Sequence, residues 1–139
     1  MVNFILALHN IMVPLILAVA GLALISGIAL VIMTRNAAGG LPAEPQGGGA
    51  VSTLRRIFRI LLQVTAGLGV LQAVFGGLLF LQGERPAEGL HFVYGLIVLG
   101  AIPVAYVYSD QKHVRRDFII MSIAVVAVIG AAIRALATG

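Results

Sequence analysis

Uncharged stretches organise this chain of 139 residues. Met1 to Thr34 carries no charge; Ile60 to Gly83 lies between Arg59 and Glu84, Gly89 to Ser109 between Glu88 and Asp110, and Phe118 to Ile133 between Asp117 and Arg134. About 20 apolar residues in a helix match a hydrocarbon core of about 30 Å, so each stretch predicts a transmembrane helix. The last holds 16 residues. It continues through Ala135, Leu136 and Ala137, because the long Arg134 side chain can snorkel to the interface. The expected helices cover about 4–34, 54–82, 87–109 and 115–137. They form a single all-α transmembrane domain, an integral membrane four-helix bundle running up-down-up-down.

Between the first two helices, residues 36–50 are rich in Gly and Pro and read as a flexible linker. The connection from Gly83 to Glu88 is short, which makes its helices antiparallel neighbours, and Pro86 suits the first turn of the third helix. The connection from Ser109 to Arg116 is short and polar. A cleaved signal has a basic start and an apolar core of about 7–15 residues. Met1 to Thr34 has neither feature, so it is expected to remain in the mature protein.

Composition agrees with a lipid solvent. Hydrophobic residues make up 60 % of the chain, charged residues 10 %, and the mean hydropathy is +1.09. Soluble domains carry about 25 % charged residues. There is no cysteine, which removes disulfides, iron–sulfur clusters, thiolate zinc sites and covalently attached haem.

Charge placement sets the expected orientation. Arg35, Arg55, Arg56, Arg59, Lys112, Arg115 and Arg116 fall on one face, and Arg85 and Arg134 on the other. By the positive-inside rule the richer face is cytoplasmic. Both termini then lie outside an inner membrane, with loops 35–59 and 109–117 in the cytoplasm. The net charge of +4 and pI near 10.4 are largely this topogenic signal. Nucleic acid is not needed to explain it, since no soluble domain presents the basic residues.

Helices in lipid associate where small side chains let backbones approach. Small residues recur every four positions at Ala23 and Gly27, at Gly69, Ala73 and Gly77, and at Ala127, Ala131 and Ala135. These faces suit packing within the chain or docking onto another membrane subunit.

Polar groups at membrane depth are costly, so they are the functional candidates. His9 lies about two turns into the first helix and His91 about one turn into the third, from the same side. Asn10, Gln82, Glu84, Glu88, Tyr94, Arg134 and Thr138 gather near that face; Gln72 falls nearer the middle, and Gln63 and Thr65 nearer the cytoplasm. Two imidazoles at matched depth on different helices are what a b-type haem requires, one axial ligand on each side of the iron. Arg134 would then pair with a propionate. The competing readings are interfacial histidines, with His91 bonded to Glu88, or a contact to a pigment magnesium or a quinone. Arg134 is equally explained as a head-group anchor or as a partner of Glu84 or Glu88. No other metal site is expected. Enzyme signatures are absent, with no nucleophile–base pair, acidic cluster or phosphate loop, so no catalytic residue is expected.

Leu8-His9, Leu71-Gln72-Ala73 with Gly76, Arg85-Pro86 followed by Leu90-His91-Phe92-Val93-Tyr94-Gly95, and Ile133 to Gly139 together resemble a group of small four-helix bacterial membrane proteins. The helices are also similar to accessory subunits of respiratory or photosynthetic assemblies such as alternative complex III. The resemblance implies a compact bundle with polar residues at its outer face; it supplies no activity. The sequence therefore leads to a non-catalytic accessory subunit of a larger energy-transducing membrane complex, with lipid and other membrane subunits as partners. The alternative is a small b-type cytochrome, or a quinone- or pigment-contacting electron-transfer protein, using His9 and His91.

Overall fold

The computed structural model describes residues 2–35, 49–109 and 113–138. Among these residues it contains α1 (Val2–Met33), α2 (Ala50–Leu81), α3 (Leu90–Tyr108) and α4 (Val114–Thr138), and no strand. All four are long and apolar enough to cross a membrane. The chain is thus an all-helical, multi-pass membrane protein in architecture. Most of the expected linker, 36–48, lies outside the described residues, as do Asp110 to Lys112.

Helix lengths depart from expectation at two ends. α2 begins at Ala50, ahead of the expected 54, with Thr53 N–H donating to the Gly49 carbonyl at 3.2 Å. α3 begins at Leu90, so Pro86 precedes the helix instead of opening it. Gly89 caps α3, and the His91 and Phe92 amides donate to the Glu88 and Gly89 carbonyls at 3.1 and 3.3 Å. The 32-residue α1 and α2 contrast with the 19 residues of α3 and 25 of α4.

α2 ends in a Schellman motif. Glu84 N–H donates to Leu79 O and Gly83 N–H to Phe80 O, both at 3.1 Å, while Gly83 adopts φ +93°. That left-handed conformation favours glycine, and the two bonds satisfy carbonyls the helix end would otherwise strand. Arg85 covers the turn, donating to Phe80 O at 2.9 Å and stacking its guanidinium 3.8 Å from the Phe80 ring centre.

The helices pack as a ring: α1 touches α2 and α4, α3 touches α4, and α2 meets α3 least. α1 and α3 thus face each other across the middle. α1 buries Val13, Ile16, Ala20, Ala23, Gly27 and Leu30, the three-four spacing of one helical face. α4 buries a broader face, from Asp117 through Val125 to Thr138. Phe58 and Phe118, both buried, meet edge to face at 6.0 Å.

Small residues allow two close approaches. A Cβ on Gly27 would meet Ser122 Oγ and lie 2.9 Å from the Phe58 ring, and one on Gly69 would lie 3.0 Å from the Val98 carbonyl oxygen. Gly27 and Gly69 therefore earn their place by packing, as do the buried Ala23, Ala131 and Ala135. Ala73, Gly77 and Ala127 belong to the same fourfold patterns yet are exposed. Four residues overshoot a 3.6-residue turn by about 40°, so a strict fourfold row rotates out of the contact within two steps.

Large apolar side chains cover the outside, Leu22, Ile25, Leu96, Val107 and Ile123 among them. In water such a surface would drive aggregation; in lipid it is the appropriate exterior.

Candidate functional site

One end of the bundle is loosely packed. α1 has no buried residue before Val13, α3 none before Val98, and α2 none between Gly69 and Leu79; only α4 keeps a buried face there. Into this end project His9 from α1, Gln72 from α2 and His91 from α3.

His9 and His91 come together across the bundle. Their ring centroids are 6.1 Å apart and their planes tilted by 40°. Gln72 Nε2 donates to His9 Nε2 at 3.1 Å. Gly76, one turn further along α2, admits the His9 ring: a Cβ there would lie 3.3 Å from His9 Cε1. Around this one hydrogen bond, His9 Nδ1, His91 Nδ1 and Gln72 Oε1 are buried without a partner. Buried polar atoms are normally satisfied, so these three are exceptions gathered on the residues of one small cluster.

The 6.1 Å centroid separation is ordinary ring contact, close to the 6.0 Å of the Phe58–Phe118 pair, so it brings the two imidazoles together without selecting an occupant.

Arg134 approaches from α4, its guanidinium 5.8 Å from the Tyr94 ring centre and exposed. Tyr94 lies one turn beyond His91. No ion pair joins Arg134 to Glu84 or Glu88 among the described residues, and Glu88 is exposed ahead of α3, its carbonyl rather than its carboxylate meeting His91. Asn10, Gln82 and Glu84 are exposed and Thr138 bonds the Arg134 carbonyl at 3.0 Å; none joins the histidine pair.

Sequence reasoning placed Gln72 apart from the histidines. The structure brings it to His9, because nine residues back from the end of α2 is about the same depth as seven residues into α1. Asp117 was also missed as an interior group. It is 4 % exposed, accepts a hydrogen bond from Ser109 Oγ, and pairs with Arg59 Nη2 at 3.7 Å. Its position in the first turn of α4 suits a negative charge. This cluster ties α2, the end of α3 and α4 together at the opposite end of the bundle from the histidines. No described group of three or more His, Cys, Asp or Glu side chains is arranged to hold a metal ion.

Fold and site thus define a multi-pass helical membrane protein with a two-histidine cluster near one end. No protein-family model matches the chain. Searches of curated proteins and of solved structures return no match either.

Proposed function

We propose that this protein is a small b-type cytochrome that carries electrons within the membrane, with His9 and His91 as axial ligands of one haem. The observation that carries this reading is that α1 and α3 bring two imidazoles, His9 and His91, together at matched depth in the loosely packed end of the bundle. A haem held by two histidines would draw them from different helices, as His9 on α1 and His91 on α3 would be drawn. A bound haem b supplies one-electron redox chemistry. The loose packing of α1, α2 and α3 at this end favours insertion of a flat macrocycle between them, and Arg134 beside Tyr94 offers a cation for a propionate.

We take the helices to alternate in direction. His9 meets Gln72 and Gly76, Gly27 meets Phe58, and Gly69 meets Val98, so numbers rising along one helix meet numbers falling along its neighbour. With the arginine-rich end cytoplasmic, the histidines lie toward the outer face of an inner membrane and both termini lie outside.

The full chain purified in mild detergent is expected to show a Soret band and a reduced-minus-oxidised α band, both abolished by His9→Ala. A colourless protein that takes up no added hemin would sink the cytochrome reading. Membership of a larger energy-transducing complex is a compatible second reading, favoured by the exposed small residues Ala73, Gly77 and Ala127. Migration on native gels only as a free monomer or homodimer would count against it.

A further inference from the structure

At the end of the bundle away from the histidines, α2 carries polar residues on its outer side. Arg56, Ile60, Gln63 and Gly67 are all exposed, and their three- and four-residue spacing keeps them on one helical face. Arg59 lies between that face and the one on which Gly69 meets Val98 of α3. α2 and α3 are the least closely packed neighbours in the ring. Near Arg59, α3 brings Tyr106 and Ser109 to their seam: the charges of Arg59 and Asp117 both act on the Tyr106 phenol, and Ser109 Oγ donates to Asp117.

The Arg59 guanidinium is oriented without being saturated. Its Nη2 lies 3.7 Å from Asp117 Oδ2, and the side chain keeps 37 % exposure. A guanidinium presents five N–H donors in a rigid fork, so one such contact leaves donors for a second anion. Arg56, three residues earlier and exposed, adds another cation on the same side.

Gln63 is the residue that orientation signals do not explain. It is an exposed carboxamide on a membrane-spanning helix, with Ile60, Val70 and Val74 exposed along the same side. A polar group facing hydrocarbon is costly, whereas the ester carbonyls of a phospholipid accept its amide hydrogens. Depth agrees with that partner. Gln63 lies four residues, about 6 Å, deeper than Arg59, and the polar layer on each side of the hydrocarbon is about 5–8 Å thick. A phosphate at Arg56 and Arg59 therefore puts glycerol esters level with Gln63. Deeper still, a Cβ on Gly67 would meet nothing within 4 Å, and the exposed Val70 and Val74 continue the track as apolar surface.

We propose that the outer edge of the α2–α3 seam binds one anionic phospholipid of the arginine-rich leaflet. Arg56 and Arg59 hold its phosphate, Gln63 donates to an ester carbonyl, and the face from Gly67 to Val74 receives an acyl chain. The site is separate from the histidine cluster and needs no haem.

The test titrates the full chain, delipidated in a mild nonionic detergent, with phosphatidylglycerol and counts bound lipid by native mass spectrometry. Phosphatidylcholine and inorganic phosphate are the comparison probes. Wild type is expected to retain one phosphatidylglycerol in preference to phosphatidylcholine, with inorganic phosphate unable to displace it. Equal retention of the two lipids overturns the site, and displacement by phosphate overturns the lipid as its occupant. Arg56→Gln should weaken retention about fivefold, the effect of one cation beside an anionic lipid. Gln63→Leu should weaken it about three- to tenfold, the effect of one lost hydrogen bond. Arg115 is the control: it is exposed and lies two turns before Ser122, which meets Gly27, and so stands on the α1 side of α4 away from the seam. Arg115→Gln should leave retention unchanged. A Gln63→Leu protein that binds as wild type does, or an Arg115→Gln protein as impaired as Arg56→Gln, overturns the site in favour of diffuse attraction to the basic end. Helical circular dichroism checks folding, and the wild-type preference decides even if a variant does not fold. Hemin uptake should be the same in all three variants, so this site and the cytochrome reading fail separately.

Discussion

The two ends of this bundle spend polar groups in opposite ways. At the aspartate end, Asp117 has both Ser109 and Arg59, and the Thr34 and Thr65 hydroxyls return to the Leu30 and Leu61 carbonyls at 2.7 and 2.8 Å. Ser122 Oγ is the exception there. At the histidine end, one hydrogen bond serves three residues and three atoms go without. In hydrocarbon an unsatisfied polar group is costly, so a satisfied cluster holds helices together, while an unsatisfied one leaves its helices less firmly tied. The packing agrees, since interdigitated aromatic and glycine contacts fill the aspartate end and buried positions thin out around the histidines.

The contrast breaks or sharpens under substitution. The largest loss of stability is expected from Gly27→Leu, which forces a side chain into Phe58 and Ser122. Overpacking of this kind costs about 3 kcal/mol, readable as a shift in unfolding by denaturing detergent, with hemin affinity the lesser casualty. His91→Ala should do the reverse, lowering hemin affinity at least about 100-fold, or about 2.7 kcal/mol, while stability without haem barely changes. Should His91→Ala instead unfold the protein without altering colour, the two ends would not differ in kind. Arg59→Leu strands a buried carboxylate beside Ser109; with the arginine side chain 37 % exposed, a loss of about 2 kcal/mol is expected. Gly83→Ala opposes the left-handed cap of α2 and should cost about 1 kcal/mol by the same unfolding assay. Smallest of all, Ala127→Leu on the exposed side of α4 should change the isolated protein by under about 0.5 kcal/mol. Native gels of membrane extracts would reveal a larger effect if that face meets a partner subunit.

Four apolar helices were legible because charge is so scarce that its few positions bracket the spans. Helix ends were less legible: α2 starts among Ser52, Thr53 and Arg55, residues hydropathy discounts but a helix accepts near a head-group layer. The histidine pair could be anticipated from depth alone, since both residues count inward from the same face. Gln72 could not, because the expected ends at 4 and 82 put it about five residues deeper than His9, and the observed ends at Val2 and Leu81 bring the two to nearly the same height. Asp117 looked like a loop charge; only the approach of Arg59 and the end of α3 covers it, a tertiary fact with no local trace. Fourfold spacing named Gly69 and Ala73 alike, and rotation along the helix separated them.

The unequal lengths of the helices make bilayer thickness a mechanical variable. At 1.5 Å per residue α3 measures about 28 Å, barely a hydrocarbon layer, whereas α1 and α2 measure about 48 Å and can tilt or protrude. A thickening membrane therefore runs out of α3 first. His91 is the second residue of that helix, so hydrophobic mismatch acts directly on it, whereas His9 lies a further turn inside α1 and is bonded to Gln72. Thin and thick membranes are thus expected to load His9 and His91 differently.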